Sequence, residues 1–376
     1  MSRRTGGTLL TLLLAVAGCG RVELMSRLVL SPQECRMLKI FIVAAAFASL
    51  FVAQSSTIAA DSSAAVTDVK KVDGDYWFQG EYLGSLRNEC GRCEACGLQV
   101  VALGKQEFQA VLYQSGLPGG GWWSGMSKQE FKGRMEDDVL RLIGDARRIE
   151  IQKGTAVVQS VIQPPSPASE QVVALGELMR VERRSQTLGA QPPAGAVVLF
   201  DGSNTDHWKN ARRTDDGLLM IGPETKKAFS DFHMHVEFLL PYMPNARGQG
   251  RANSGVYIQS RYEVQVLDSF GLKGEPNEAA GLYKFKAPDT NLCLPPLVWQ
   301  TYDIDFRAAR FCDSGEKSCP ATISVWHNGV LVQNQVQLAN KTGGGAAEGP
   351  LPLPTKLQDH GNPVRFRNIW LIDRGI

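Results

Sequence analysis

The chain is 376 residues long, 43% hydrophobic and 21% charged. That is enough apolar material for a buried core and, at about 150 residues per domain, for two domains. Lys and Arg number 40 against 38 Asp and Glu, so there is no concentrated basic field for phosphates, and nucleic acid is excluded as the main partner. Between Val197 and Ile376 the two signs balance at 19 each, which favours a neutral ligand.

Residues 1–60 read as a targeting region. Arg3 and Arg4 precede the apolar run 9–17 and then Cys19, a pattern that resembles a bacterial lipoprotein signal with a lipidated cysteine. A second address follows, with Arg36 and Lys39 ahead of the apolar run 40–52 and small residues at 55–60. These are the charged, apolar and small-residue regions of a secretory signal peptide, with cleavage expected near Ala59 or Ala60. Two signals in series serve no purpose. Met37 is therefore the expected start, and a lipid anchor at Cys19 is the lesser alternative. Both runs are shorter than the ~20 residues of a membrane span. The mature chain is expected in the periplasm, at the cell surface or secreted, with no integral membrane domain.

Export changes the meaning of the cysteines, because an oxidising compartment favours disulfides. Cys312 and Cys319 bracket a turn-rich hairpin tip, and a bridge between them is expected. Cys90-x-x-Cys93-x-x-Cys96 has metal-like spacing, but a structural zinc needs four ligands and no His precedes His207. A local disulfide or plain thiols are the preferred reading there.

Residues 64–162 read as a small mostly-β domain, with strand-like stretches at 75–78, 98–103, 108–113 and 156–162. Only 128–142 has a helical cast. The Gly-rich run 115–125 lacks phosphate-loop spacing; its Trp122 and Trp123 are candidates for sugar stacking or, more ordinarily, for anchoring the loop. Pro-rich composition marks 163–195 as linker. From residue 196 to 376 short strands alternate with turns, as in an all-β sandwich. Phe232, Met234, Val236 and Phe238 lie on one face of a strand, with His233, His235 and Glu237 on the other. Two antiparallel sheets in a jelly-roll arrangement are expected.

The second half resembles the 3-keto-disaccharide hydrolase family, formerly a bacterial domain of unknown function. Matching segments include Val198-Leu-Phe-Asp-Gly202, Arg261-Tyr-Glu-Val-Gln-Val-Leu-Asp-Ser-Phe-Gly271 and Leu357-Gln-Asp-His-Gly-Asn-Pro-Val-Arg-Phe-Arg-Asn-Ile-Trp370. Others are the stretches 247–259, 295–306 and 327–330. The added N-terminal domain is similar to the planctomycete branch. The resemblance implies a concanavalin-like β-sandwich and the cleavage of glycosides already oxidised to a ketone at sugar carbon 3. Such a ketone acidifies the C2 hydrogen; a base removes it, the C1 oxygen leaves by elimination, and water adds back. That chemistry asks for a base, a donor to the enolate oxygen and an acid for the leaving group. It does not need the carboxylate pair of ordinary glycosidases.

Within these segments Glu263 is the candidate base, with Gln265 two residues along the same strand face. His360, with Asp359 beside it, is the candidate proton carrier. Arg247, Arg251 and Asn253 in a Gly-rich loop, with Tyr257, Gln259 and Gln300, are candidates for holding the sugar. His233, His235 and Glu237 form an alternative metal constellation, weakened because strand side chains diverge over ~13 Å between first and last. Asp303 and Asp305 read as solvated alternation. No cofactor is expected; a divalent ion, calcium or zinc, is the one addition left open. The expected partner is an oligosaccharide or glycoside substrate. The alternative is a non-catalytic carbohydrate-binding sandwich of a cell-surface glycan system, distinguished by whether Glu263, Gln265 and His360 converge with Arg251.

Overall fold

The computed structural model describes residues 65–162 and 171–375. The signal-like segments, Cys19 and Met37 lie outside the described residues. No helix among the described residues is long and apolar enough to cross a membrane.

The first half is a closed antiparallel barrel of eight strands. They are β1 (Gly80–Arg87), β2 (Cys93–Gly104), β3 (Glu107–Gln114), β4 (Lys128–Glu136), β5 (Val139–Ile143), β6 (Arg147–Gln152), β7 (Thr155–Ile162) and β8 (Gln171–Val181). Each strand pairs with its neighbour in sequence, and β8 closes the ring against β1. Closure removes the exposed edges that an open sheet would present. Inward side chains such as Tyr82, Leu98, Phe108, Phe131, Leu142 and Ile149 are buried and fill the interior.

Three differences from the sequence reading have local causes. Residues 128–142 form the β4–β5 hairpin rather than a helix. Phe131, Gly133 and Met135 repeat with a period of two, and Asp137 and Asp138 both take positive φ (48° and 63°), as a two-residue hairpin turn requires. Residues 75–78 overlap a short 3-10 helix, Gly74–Trp77, capped by the Asp73 side chain. Residues 171–181, inside the expected linker, supply the eighth barrel strand.

The second half is a sandwich of two antiparallel sheets. The larger contains β9 (Val197–Phe200), β11 (Leu219–Met220), β13 (Asp231–Leu239), β16 (Trp299–Arg307), β19 (Ala321–His327), β20 (Val330–Leu338) and β22 (Arg365–Gly375). The smaller runs β10 (Trp208–Lys209), β12 (Glu224–Thr225), β21 (Lys356–Leu357), β14 (Ser254–Ile258), β15 (Tyr262–Val266). Phe232, Met234, Val236 and Phe238 meet Val256, Ile258, Val264 and Val266 in one core, so the alternation seen in sequence does point inward.

A separate hairpin, β17 (Arg310–Phe311) with β18 (Lys317–Cys319), corrects the expected disulfide. Its register sets Cys319 opposite Arg310, while the Cys312 N–H donates to Glu316 O. The two cysteines are therefore offset along the hairpin, and both thiols are free and exposed. Cys90, Cys93 and Cys96 are free as well. Cys90 sits in the β1–β2 turn, and Cys93 and Cys96, three apart on β2, face opposite sides of the strand.

Barrel and sandwich are joined through polar backbone. Val66 and Tyr242 exchange backbone hydrogen bonds, and Tyr242 packs into the barrel core. Arg251 donates to Ala102 O and Arg247 to Leu103 O at the end of β2. Gly104 has a φ of 79°, which favours glycine, and a Cβ there would also displace the end of the Asn245 side chain.

Candidate active site

The outer face of the smaller sheet carries the site. In the β14–β15 register Tyr257 stands opposite Glu263 and Gly255 opposite Gln265. These four share one face, while Val256, Ile258, Val264 and Val266 take the core face. On the other flank Tyr257 pairs with Lys356 of β21.

Glu263 is 1% exposed. Burial pushes its carboxyl up to about 7, against the opposing pull of the Tyr257 hydroxyl, which donates to Oε2 at 2.7 Å. Burial and the neighbouring carboxylate push the Tyr257 phenol upward in turn, which keeps it a donor. The Glu263 backbone N–H donates to Thr342 Oγ1, and the 343–345 glycine segment lies close by: a Cβ on Gly344 would overlap the Tyr257 hydroxyl. A carboxyl that titrates near neutrality in a closed polar site is suited to give and take protons at working pH.

Gly255 makes this position possible. A Cβ there would overlap the Glu263 carboxylate, so the acid lies against a bare stretch of strand. Gly255→Ala is expected to displace the flexible end of Glu263 and lower turnover by about 10²-fold. Its thermal melt should stay close to the parent's, because only that side chain must move.

A cluster of amides adjoins the acid. The Asn253 Nδ2 group donates to Gln249 O and Oε1, and Gln265 Nε2 donates to Gln249 Oε1 and Asn277 O. Asn362 Oδ1 accepts from the Asn253 backbone N–H at 2.7 Å. The far ends of all three, Asn253 Oδ1, Gln265 Oε1 and Asn362 Nδ2, are buried with no protein partner, and so is Gln358 Oε1. Four of the seven such atoms among the described residues thus lie in this one region. Buried polar atoms are almost always paired, and a concentration of ones without a protein partner marks a place for ordered water or a polar ligand. Gln358 and Asn362 were missed by sequence reasoning, although both lie in the quoted 357–370 segment. Their signal is only that each flanks the His360 loop.

His360 is exposed on that loop, between the Gln358 N–H bond to Gly255 O and the Asn362 bond to Asn253. Asp359 does not orient it through the contacts it makes: one oxygen accepts from Gly361 N–H and the other lies 3.8 Å from Arg212.

The remaining candidates lie elsewhere. Arg251 is buried, pairs with Asp268 at 2.6 Å and reaches the barrel, and the Arg247 guanidinium is held by Pro244 O, Ala246 O and Leu103 O. Both serve the join with the barrel. Gln259 falls just after β14 with a positive φ of 49°, which breaks the alternation with Tyr257; it donates to Phe229 O and accepts from Arg261. Gln300 is buried in the larger sheet, bonded to Leu294 and His327.

His235 and Glu237 are also buried, because residues 185–190 run across the outer face of the larger sheet. Gly189 N–H donates to Glu237, Thr187 to Asp303, and Ala190 O accepts from Asn368 and Trp370. His235 pairs with Asp303 at 2.7 Å and stacks on Trp370. Burial opposes the charge on His235, but its bond to Asp303 and the Glu237 carboxylate 3.6 Å away outweigh it and raise the imidazole above its ordinary value. Against the same burial, His235, Asn368 and Arg367 hold Glu237 down at about 2. His233 lies beside the Trp326 and Trp370 rings instead. The three are parts of an ion-pair and stacking network, and no group of three His, Cys, Asp or Glu among the described residues is disposed to hold a metal ion. Asp305 forms two bonds with Arg374. Trp122 is a buried loop anchor against Tyr113, and Trp123 is exposed.

Residues 195–372 match the family described as the 3-keto-alpha-glucoside-1,2-lyase-like domain; the barrel lies outside the match. Two crystal structures from Parabacteroides distasonis, each titled as a candidate glycosyl hydrolase, are similar to this half. One is 32% identical with a TM-score of 0.43, over 49% of this chain and 85% of that one. The other is 19% identical with a TM-score of 0.36, over 48% and 94%. Comparison with curated proteins gives no match.

Proposed function

Because this chain belongs, through residues 195–372, to the 3-keto-alpha-glucoside-1,2-lyase-like family, we propose that it is an exported glycoside-cleaving enzyme acting on sugars oxidised at C3. The observation that carries the reading is Glu263, a buried carboxyl poised at about 7 beside amides that lack partners. Glu263 takes the C2 hydrogen as a proton, leaving an enolate across C2, C3 and O3. The enolate then re-forms the C3 carbonyl, a C1–C2 double bond develops and the C1–O bond breaks. His360, on the loop beside Gly255, protonates the departing oxygen. Water adds at C1, a proton returns to C2, and the sum is hydrolysis.

The Tyr257 hydroxyl steadies the ionised form of Glu263. Tyr257→Phe removes the interaction that lowers its pKa, so the acidic limb of kcat/KM should move above pH 7. The variant should be slowest relative to the parent at or below neutrality and recover toward it at alkaline pH. The reading as a whole is tested by sugar release from a 3-keto disaccharide beside the unoxidised disaccharide. Release from the first alone supports it; release from neither sinks it.

A further inference from the structure

The three fully buried amides at the site have fixed orientations. The Asn253 backbone N–H can only donate, so the Asn362 atom facing it is oxygen and the free end is the Nδ2 donor. Gln249 O and Asn277 O can only accept, so the bonded ends of Asn253 and Gln265 are nitrogen and their free ends are oxygen. Asn253, Gln265 and Asn362 are at most 1% exposed. The site therefore offers two unpaired acceptors and one unpaired donor, adjoining the strand position where the Glu263 carboxylate rests.

A pyranose with a ketone at C3 presents the complementary set. Its remaining hydroxyls donate, whereas the ketone oxygen has no proton and only accepts. We infer that Asn362 Nδ2 donates to the O3 ketone of the bound sugar while Asn253 Oδ1 and Gln265 Oε1 receive its hydroxyls; this rests on the function proposed above. As the C2 proton moves to Glu263, negative charge gathers on O3 and the Asn362 bond strengthens. Stabilisation confined to that stage raises kcat and leaves KM nearly unchanged. Asn253 lies two residues from Gly255, about 7 Å along extended chain, so one ring can meet both the amides and the acid.

The test is steady-state cleavage of a 3-keto disaccharide by the full exported chain and by Asn362→Asp. Aspartate keeps the acceptor that holds the Asn253 N–H and loses the amide donor. Asn362→Ala, which brings no charge and no proton of its own, runs beside it in case the buried acid disturbs the fold, and melts are compared. The expected result is kcat lower by about 10²–10³-fold with KM within a few-fold in both variants and, in Asn362→Ala, which adds no charge beside Glu263, a pH limb still near 7 because the base is untouched. Parent-like kcat in a folded variant overturns the role of Asn362 and leaves the enzyme reading standing. A fall in kcat with a displaced pH limb in Asn362→Ala overturns it too, since Asn362 would then be acting through Glu263. No cleavage by the parent removes both.

Discussion

Glu263→Gln is expected to lower kcat for cleavage of a 3-keto disaccharide by about 10²–10⁴-fold, the usual worth of a general base. Glutamine keeps an oxygen for the Tyr257 hydroxyl but cannot accept the C2 proton. A mere packing role would predict the opposite balance, a loss of stability with activity retained. The linkage makes the distinction sharper. The folded pKa of Glu263 lies above its ordinary value of 4.5, at about 7. The folded state therefore holds the proton longer, and ionisation works against the fold as pH rises between these values, fully so above 7. Glu263→Gln should accordingly melt no lower than the parent at pH 8 while being nearly inactive. A variant that is both unstable and inactive would leave Glu263 a structural residue.

The second large effect falls on the fold. Arg251→Met leaves Asp268, 3% exposed, without its ion pair, and breaking a buried pair from one side costs roughly 3–5 kcal/mol. The melting temperature should fall clearly, and Arg251→Met with Asp268→Leu should recover much of the loss, because no unpaired charge then remains. Since Arg251 also reaches Ala102 O of the barrel, the loss registers the join between barrel and sandwich. An undisturbed melt in the single variant would show that this pair is not what fixes the 251–253 segment.

The sandwich was legible because its strands alternate strictly: Phe232 to Phe238 and Tyr262 to Val266 put apolar side chains on one face in sequence and in space. The same rule failed where another segment covers the outer face. The alternation puts His235 and Glu237 on the face away from the core, yet the 185–190 strap buries them, and nothing in a strand's own pattern reports what crosses over it. The β4–β5 hairpin was missed because Lys, Gln and Glu favour helix, while the double positive φ at Asp137 and Asp138 is dictated by strand pairing. Glu263, Tyr257, Gln265 and Asn253, all candidates from the sequence, lie together in the structure. Arg247 and Arg251 looked like sugar ligands because a loop arginine is a donor in search of an acceptor; here the acceptors are carbonyls of β2, more than 140 residues away in the chain. Gln358 and Asn362 carried no signal beyond their place in the motif, since an unpaired amide end exists only once the chain is folded.

The most direct measurement uses a 3-keto disaccharide carrying deuterium at C2, cleaved in ordinary water and sampled early. Product sugar incubated without enzyme sets the background exchange. Removal of the C2 hydrogen by Glu263 predicts that the released sugar has lost its deuterium well beyond that background, and that Glu263→Gln neither releases sugar nor exchanges the label. Released sugar that keeps its deuterium, cleaved as fast as the undeuterated substrate so that return of the deuteron by the shielded Glu263 carboxyl is excluded, would mean the C1–O bond breaks without C2 being touched, and would contradict the mechanism outright.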